Sequence, residues 1–338
     1  MILGLTIILI LVLFLPFTVK IVEKNLEVFL FIMGIAAAII SQKLDRDLIF
    51  SALEDPIHIT LAVLIAGLLF RWLQEPMEKG ILGLSKAMPF RLFLALVVII
   101  LGLISSVITA IIAAIVLVVI VSVLRLDRQS ELRLVVLACF SIGMGAALTP
   151  IGEPLSTIAT SKLGEDFFYL LGLIGVDVIP AVILFGIFTA ILVSPKEDDK
   201  GLAASLEKES YQEISIRSIK IYLFVMGLTL LGAGFEPFIE RYLLGLSHYV
   251  LYWINMISAI LDNATLAAAE ISPAMDEPTI KAILLGLIIS GGMLIPGNIP
   301  NIIAAGKLNI TSREWARFGV PVGLIAMAVY FVVILVFG

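Results

Sequence analysis

Three short stretches hold polar groups of the kind that bind ions, each within a markedly apolar sequence. Ile257 to Glu270, ISAILDNATLAAAE, sets Asp262 and Asn263 in an otherwise apolar run. An ionisable group at membrane depth costs about 2.5 to 3.5 kcal/mol on insertion scales, so it reads first as a functional site and second as a pin between helices. Gly143 to Thr160, GMGAALTPIGEPLSTIAT, supplies Thr149, Glu153, Ser156 and Thr157. Ser290 to Gly306, SGGMLIPGNIPNIIAAG, supplies Asn298 and Asn301. In the first of these two, Pro150 and Pro154 remove backbone donors while Gly145 and Gly152 permit an unwound turn; Pro296, Gly297 and Pro300 do the same in the second. Unwinding frees carbonyl oxygens, which together with carboxylate, hydroxyl and amide oxygens are the ligands hard cations require. Sodium favours the ionised form of a carboxylate and a proton the neutral form, so competition for the same oxygens is all that exchange requires.

The rest of the chain fits that depth. It has 338 residues, 61% of them hydrophobic and 14% charged, with a mean hydropathy of +1.14. A soluble domain carries about 25% charged residues, so much of this surface must face lipid. The net charge of −5 forms no basic patch suited to nucleic acid. The single cysteine, Cys139, cannot form an internal disulfide. No GxxxxGK[ST] loop occurs, which leaves ATP-driven transport without support. The segment from Ile2 to Phe17 lacks a basic n-region and a small-residue cleavage site, and reads as a retained membrane helix.

Apolar runs predict spans at about 2–18, 26–41, 57–73, 133–162, 166–193, 217–235, 279–306 and 317–337. The run between Arg91 and Arg125 is too long for one span and too short for two. It reads as a re-entrant hairpin with Ser105, Ser106 and Thr109 at its polar centre. A second hairpin, about 248–272, centres on Asp262. With both treated as hairpins, the basic residues gather on one face, which places both termini outside the cell membrane.

An internal repeat is legible too. Glu75 to Ser85, EPMEKGILGLS, matches Glu236 to Ser247, EPFIERYLLGLS; Ser105 aligns with Ser258 and Thr109 with Asp262; Pro150 to Leu163 matches Pro296 to Leu308. Three spans separate the hairpins, so the halves would be inverted across the membrane, with sites where their broken helices meet. The expected organisation is peripheral helices over 1–56, a first repeat over 57–193 (hairpin 91–125, broken helix 133–162), a cytoplasmic linker over 194–216, and a second repeat over 217–338 (hairpin 248–272, broken helix 279–306). The fold class is an all-α polytopic membrane protein, with about eight transmembrane helices and two hairpins.

The expected cation and proton site comprises Asp262, Asn263, Glu153, Thr149, Gly152, Asn298, Asn301, Ser105, Ser106, Thr109 and Ser258, with Asp262 and Glu153 holding Na+ transiently. Asp177, in LLGLIGVDVIPAV, reads either as a proton relay or as a hydrogen bond to a neighbouring helix beside Pro180.

At these residues the chain resembles the ion transporter superfamily, which contains sodium/dicarboxylate carriers, arsenite carriers and NhaD-type sodium/proton antiporters. The resemblance covers roughly 57–338. It rests on TPIGEP at Thr149 to Pro154, similar to the TPIG turn of these carriers, and on SAILDNATLAAA at Ser258 to Ala269, similar to the hairpin of the antiporter branch. Within that superfamily the chain is most similar to an uncharacterised archaeal and bacterial family assigned to cation transport. The resemblance implies two inverted repeats, each with a hairpin and a broken helix. The Ser-Asn-Thr signature of dicarboxylate carriers is missing from both tips, which read Ser105, Ser106, Val107 and Leu261, Asp262, Asn263.

The expectation is therefore a secondary antiporter exchanging Na+ for H+, not an enzyme, without a cofactor beyond the coupled ions. Its partners would be Na+ or another small cation, protons and the lipid bilayer, with a homodimer on the peripheral helices one option. The alternative is a sodium-coupled symporter of a di- or tricarboxylate, although no Lys or Arg lies within the breaks. An intramembrane aspartyl protease would need a Gly-x-Gly-Asp turn, which Gly175, Val176, Asp177 does not supply.

Overall fold

The computed structural model describes residues 1–337 apart from 125, 194–209, 243–245, 262 and 274. Asp262 and most of the expected linker, 194–216, thus lie outside the described residues. The described residues are mainly helical, and among them four helices are long and apolar enough to cross a membrane: Phe90–Ile108, Tyr169–Leu192, Tyr211–Phe238 and Ser312–Val336. Shorter apolar helices accompany them. Side chains such as Val176, Ile191, Ile325 and Val332 stand exposed on these helices, as in a membrane-embedded protein.

In chain order the helices are α1 (Ile2–Thr18), α2 (Lys20–Lys24), α3 (Leu26–Ile40), α4 (Arg46–Ala87), α5 (Phe90–Ile108), α6 (Ala110–Leu124), α7 (Arg128–Ala146), α8 (Pro154–Leu163), α9 (Tyr169–Leu192), α10 (Tyr211–Tyr242), α11 (His248–Ile254), α12 (Asn263–Glu270), α13 (Glu277–Gly291), α14 (Ile299–Leu308) and α15 (Ser312–Phe337). The expected span 57–73 lies inside α4, whose 42 residues run on past both ends of it. The expected edge of the N-terminal unit, at 56, falls inside the same helix. The helix runs on through Pro56, Gly67, Pro76, Gly80 and Gly83 and ends just before Pro89.

Local chemistry sets the ends. Asp127 caps α7 by accepting the Ser130 N–H, and Asp276 caps α13 by accepting the Thr279 N–H. Ser210 with Glu213, and Thr311 with Glu314, form reciprocal capping boxes at the starts of α10 and α15. Both α8 and α14 end on a left-handed residue, Gly164 (φ 70°) and Asn309 (φ 51°).

Two layers result. α3 lies along α10, where Gly34 and Gly227 let the backbones meet: a Cβ on Gly34 would come 2.6 Å from the Gly227 oxygen. α4 joins this pair. The other layer is built round α7 and α13, which are buried on almost every side. α5 runs parallel to α7, since Ser141 Oγ donates to the Val98 oxygen (2.9 Å) and Ser105 Oγ to the Ile142 oxygen (3.0 Å). α6 then returns, from Ala110 beside Gly152 back to the start of α7. So α5 and α6 form a hairpin with Thr109 at its tip. α11, a 3-10 turn at Asn255–Ala259 and α12 form a second hairpin against α13.

The two broken segments run in opposite directions. Arg128, at the start of α7, reaches the Leu308 and Asn309 carbonyls at the end of α14 and pairs with Glu314. At the other end, Tyr169 and Glu277 line one cavity, which brings the starts of α9 and α13 together.

Candidate ion site at two broken helices

The first break, 147–153, begins where α7 ends and is held by its own hairpin. The Gly152 carbonyl accepts the Ala110 N–H at 2.9 Å, and Thr149 Oγ1 donates to the Ser106 oxygen. A Cβ on Gly152 would overlap the Ala146 carbonyl, so only glycine lets the chain double back here. Ser106 Oγ donates to Leu103 O (2.7 Å), and Ser105 Oγ to Gly102 O (2.6 Å) and Ile142 O. These hydroxyl protons are used on backbone carbonyls, which leaves the oxygens' lone pairs. Thr109 takes a positive φ of 79°, and its Oγ1 accepts the Ile112 N–H at 3.4 Å.

Glu153 is buried in the N-cap position of α8 with φ −155° and ψ 161°, yet its carboxylate makes no capping bond. The helix dipole there favours negative charge.

The second break repeats this geometry with different side chains. Asn298 takes φ −155° and ψ 147° at the N-cap of α14, and it too is buried without a capping bond. Gly152 pairs in this way with Gly297, Glu153 with Asn298, Ser156 with Asn301, and Gly164 with Asn309, each at the same interval along the chain. Asn301 Nδ2 donates to the Gly291 and Leu294 carbonyls (2.8 and 2.9 Å), whereas Ser156 Oγ makes one long bond, 3.4 Å, to the Ala146 carbonyl. The Ser258 hydroxyl donates to Leu287 O (3.2 Å), and its own carbonyl would sit 2.8 Å from a Cβ on Gly297. Asn263 is buried at the second tip, with Nδ2 3.7 Å from where a Gly291 Cβ would be.

Contacts across the halves bring the breaks together. The Asn298 amide fills the space a Cβ on Gly143 of α7 would need, and the Phe140 ring does the same at Gly292. α6 packs on α14, and α12 on α8. Among the described residues, Asn263 Nδ2, Asn298 Nδ2 and Asn301 Oδ1 are buried without a hydrogen-bond partner. Buried polar atoms of this kind cost free energy unless something else satisfies them. Helix C-termini (α5, α7, α13) and N-termini (α6, α8, α12, α14) meet here, so a small cation would find carbonyls and Glu153, and an anion would find amide donors.

The chain belongs to the DUF1646 family. Residues 2–337 match the profile of that family, described as "Protein of unknown function (DUF1646)". No curated protein matches the chain.

Asp177 stands apart from the breaks. Its Oδ2 lies 2.8 Å from Lys281 Nζ on α13, and its backbone carbonyl accepts the Tyr330 hydroxyl. The side chain thus reaches a neighbouring helix, α13, through an ion pair.

A cavity of about 540 Å³ opens between α3, α10 and α14, lined by Glu27, Glu213, Lys220, Asn309 and Thr311, and reaches Ile295 in the second break. The Lys220–Glu27 pair (2.9 Å) stands in its wall. Another, of about 560 Å³, opens at the opposite end beside Asp166, Glu277 and Lys281.

The sequence passed over three buried carboxylate or amide side chains. Glu131 lies wholly buried in the first turn of α7, and Asn255 and Glu270 are buried in the second hairpin. Glu270 closes the ISAILDNATLAAAE stretch about two helical turns beyond Asn263, a spacing that sets both on one face.

Proposed function

We propose that this family member is a secondary active antiporter that exchanges Na+ for H+ across a cell membrane. In this reading the segments on either side of the linker are inverted repeats, the two hairpins are re-entrant, and about eight helices cross the bilayer. Alternating access follows as the layer round α7 and α13 moves against α3, α4 and α10.

One observation carries the proposal. Glu153 is a buried carboxylate held at a helix start, directly after an unwound turn and beside a hairpin tip. The matching break of the other half presents Asn298 in the same backbone conformation. One charged and one neutral oxygen donor in paired breaks suits a monovalent cation that trades places with a proton. Asp262, at the second tip by sequence, would supply the other carboxylate. Asn263, Thr149 and Asn301 would add oxygens, with Gly152 permitting the turn.

In everted vesicles with an imposed pH gradient, Na+ addition should drive proton release through the wild type. Asp262→Asn and Glu153→Gln should each reduce that release to background. Undiminished exchange in both variants would overturn the assignment.

A sodium-coupled anion symporter is the second reading, favoured by the unbonded amide nitrogens of Asn263 and Asn298 beside helix N-termini. Succinate or citrate uptake that requires Na+ would support it over exchange.

A further inference from the structure

Glu270 is a second carboxylate in the stretch that holds Asp262, and the exchange site described above does not use it. It lies at the end of α12, 1% exposed, and Asn255, fully buried in the 3-10 turn of the opposite arm, faces it across the hairpin. Neither carboxyl oxygen of Glu270 and neither polar atom of the Asn255 amide forms a hydrogen bond of regular geometry among the described residues. The Asn255 backbone is fixed, since its carbonyl accepts Ser290 Oγ at 2.7 Å.

Four buried polar atoms on two facing side chains can satisfy one another in one way only. An ionised carboxylate accepts from the amide N–H but leaves the amide oxygen facing negative charge. A carboxylic acid donates its O–H to Asn255 Oδ1 while its C=O accepts from Nδ2, so both groups are paired. At the matching positions of the first hairpin stand Gly102 and Leu117, which cannot hold a proton.

Ionisable groups on the elements packed against α12 do not substitute for that proton. On α8 there is Lys162; on α10, Glu236 and Arg241 at the near end and Glu213 and Lys220 at the far end; on α13, Glu277 and Lys281; on α11, His248 and Tyr252. Glu236 is taken by Lys43 and Lys281 by Asp177. Tyr252 donates to the Met327 carbonyl. What acts on Glu270 is burial and the Asn255 amide.

We propose that Glu270 and Asn255 form a second proton-binding site, in which the carboxyl holds its proton against the Asn255 amide while the arms are closed. When the arms part, the proton passes to entering water and leaves a carboxylate. The pairing stands on its own; its coupling to transport rests on the antiport reading.

Infrared spectra of the reconstituted protein test the pairing. At neutral pH the wild type should show a carboxylic acid C=O band that Glu270→Gln removes and Asn255→Ala shifts. A band unchanged in both variants would overturn the proposal, as would one lost on neither substitution but removed by Glu153→Gln. Transport tests the coupling: Glu270→Gln should keep Na+-driven proton release while moving its pH midpoint by about one unit. An unmoved profile would overturn the coupling. If the wild type moves no protons with Na+, the antiport reading fails, and the infrared band still decides whether the pair holds a proton.

Discussion

At one position of α7, Gly145 lets α5 approach so closely that a Cβ would overlap the Gly102 carbonyl. At the matching place in α13 stands Ser290, whose hydroxyl donates to the Asn255 carbonyl. One turn earlier the roles are exchanged: Ser141 donates to the Val98 carbonyl, and Gly286 sits 2.8 Å, by its would-be Cβ, from the Tyr252 carbonyl. At these two positions each broken helix meets its hairpin through one hydroxyl and one glycine, in opposite order. The first is regular α-helix on both arms and filled by apolar side chains such as Leu101 and Leu117. The second narrows to a 3-10 turn and encloses Asn255 and Glu270. Polar pairs inside an apolar element reduce its packing stability, and they are retained where they do something else. The first hairpin is therefore the closer-packed brace, and the second the one that encloses a buried polar pair.

The largest expected effect breaks the brace. Gly145→Ala forces the α5 backbone away, because the overlapping atoms are main-chain and cannot rotate aside. Overpacking of that kind costs roughly 1–3 kcal/mol, or more when backbone must move. Ser290→Ala removes one hydrogen bond and leaves the Asn255 carbonyl bare, at about 1 kcal/mol. In detergent, the melting temperature should fall much further for Gly145→Ala than for Ser290→Ala. Equal losses would remove the distinction between the hairpins.

A middle-sized effect compares the breaks. Asn301 closes the second with two short bonds, and Ser156 closes the first with one long one. Asn301→Ala leaves two buried carbonyls open, each worth about 1–3 kcal/mol of desolvation, and so should lower both melting temperature and exchange more than Ser156→Ala. If the order is reversed, the second break is not the more tightly specified one.

What the sequence reveals follows from which residues have only one use. Proline and glycine mark the breaks at Pro150–Pro154 and Pro296–Pro300 because backbone without donors or Cβ has few other roles in an apolar run. The charge-free stretch after Arg91 shows its turn at Thr109 because hydroxyls seldom cluster there by chance. Partners are less legible. Lys281 looks like a residue of a helix end, and only the approach of α9 to α13 sets it against Asp177. Asn255 and Glu270 lie on separate arms fifteen positions apart, so neither suggests the other until the hairpin closes. The length of α4 is hidden for the opposite reason: hydropathy marks its apolar middle and is silent on helical ends that leave it.

The smallest effect concerns the two aspartates that start the broken helices. Around Asp127, burial pushes the pKa up, but hydrogen bonds from the Ser130 side chain and backbone and the nearby Arg133 outweigh it and hold the carboxyl below the ordinary 3.8. Asp276 is lowered by hydrogen bonds from the Thr279 side chain and N–H, against slight desolvation. A carboxylate whose folded pKa is depressed contributes stability that is present above its unfolded pKa and disappears as pH falls through the folded one. Both caps should therefore stabilise fully at neutral pH and lose their contribution below about 3.8. Asp127→Asn and Asp276→Asn should each be less stable than wild type at pH 7, with the gap closing on acidification. Chemical denaturation in detergent across that range measures it. Because the two caps are alike in chemistry, similar gaps are expected for both halves, in contrast to the unequal losses at Gly145 and Ser290. A large gap for one cap alone would move the difference between the halves out of the hairpins and into the helix starts.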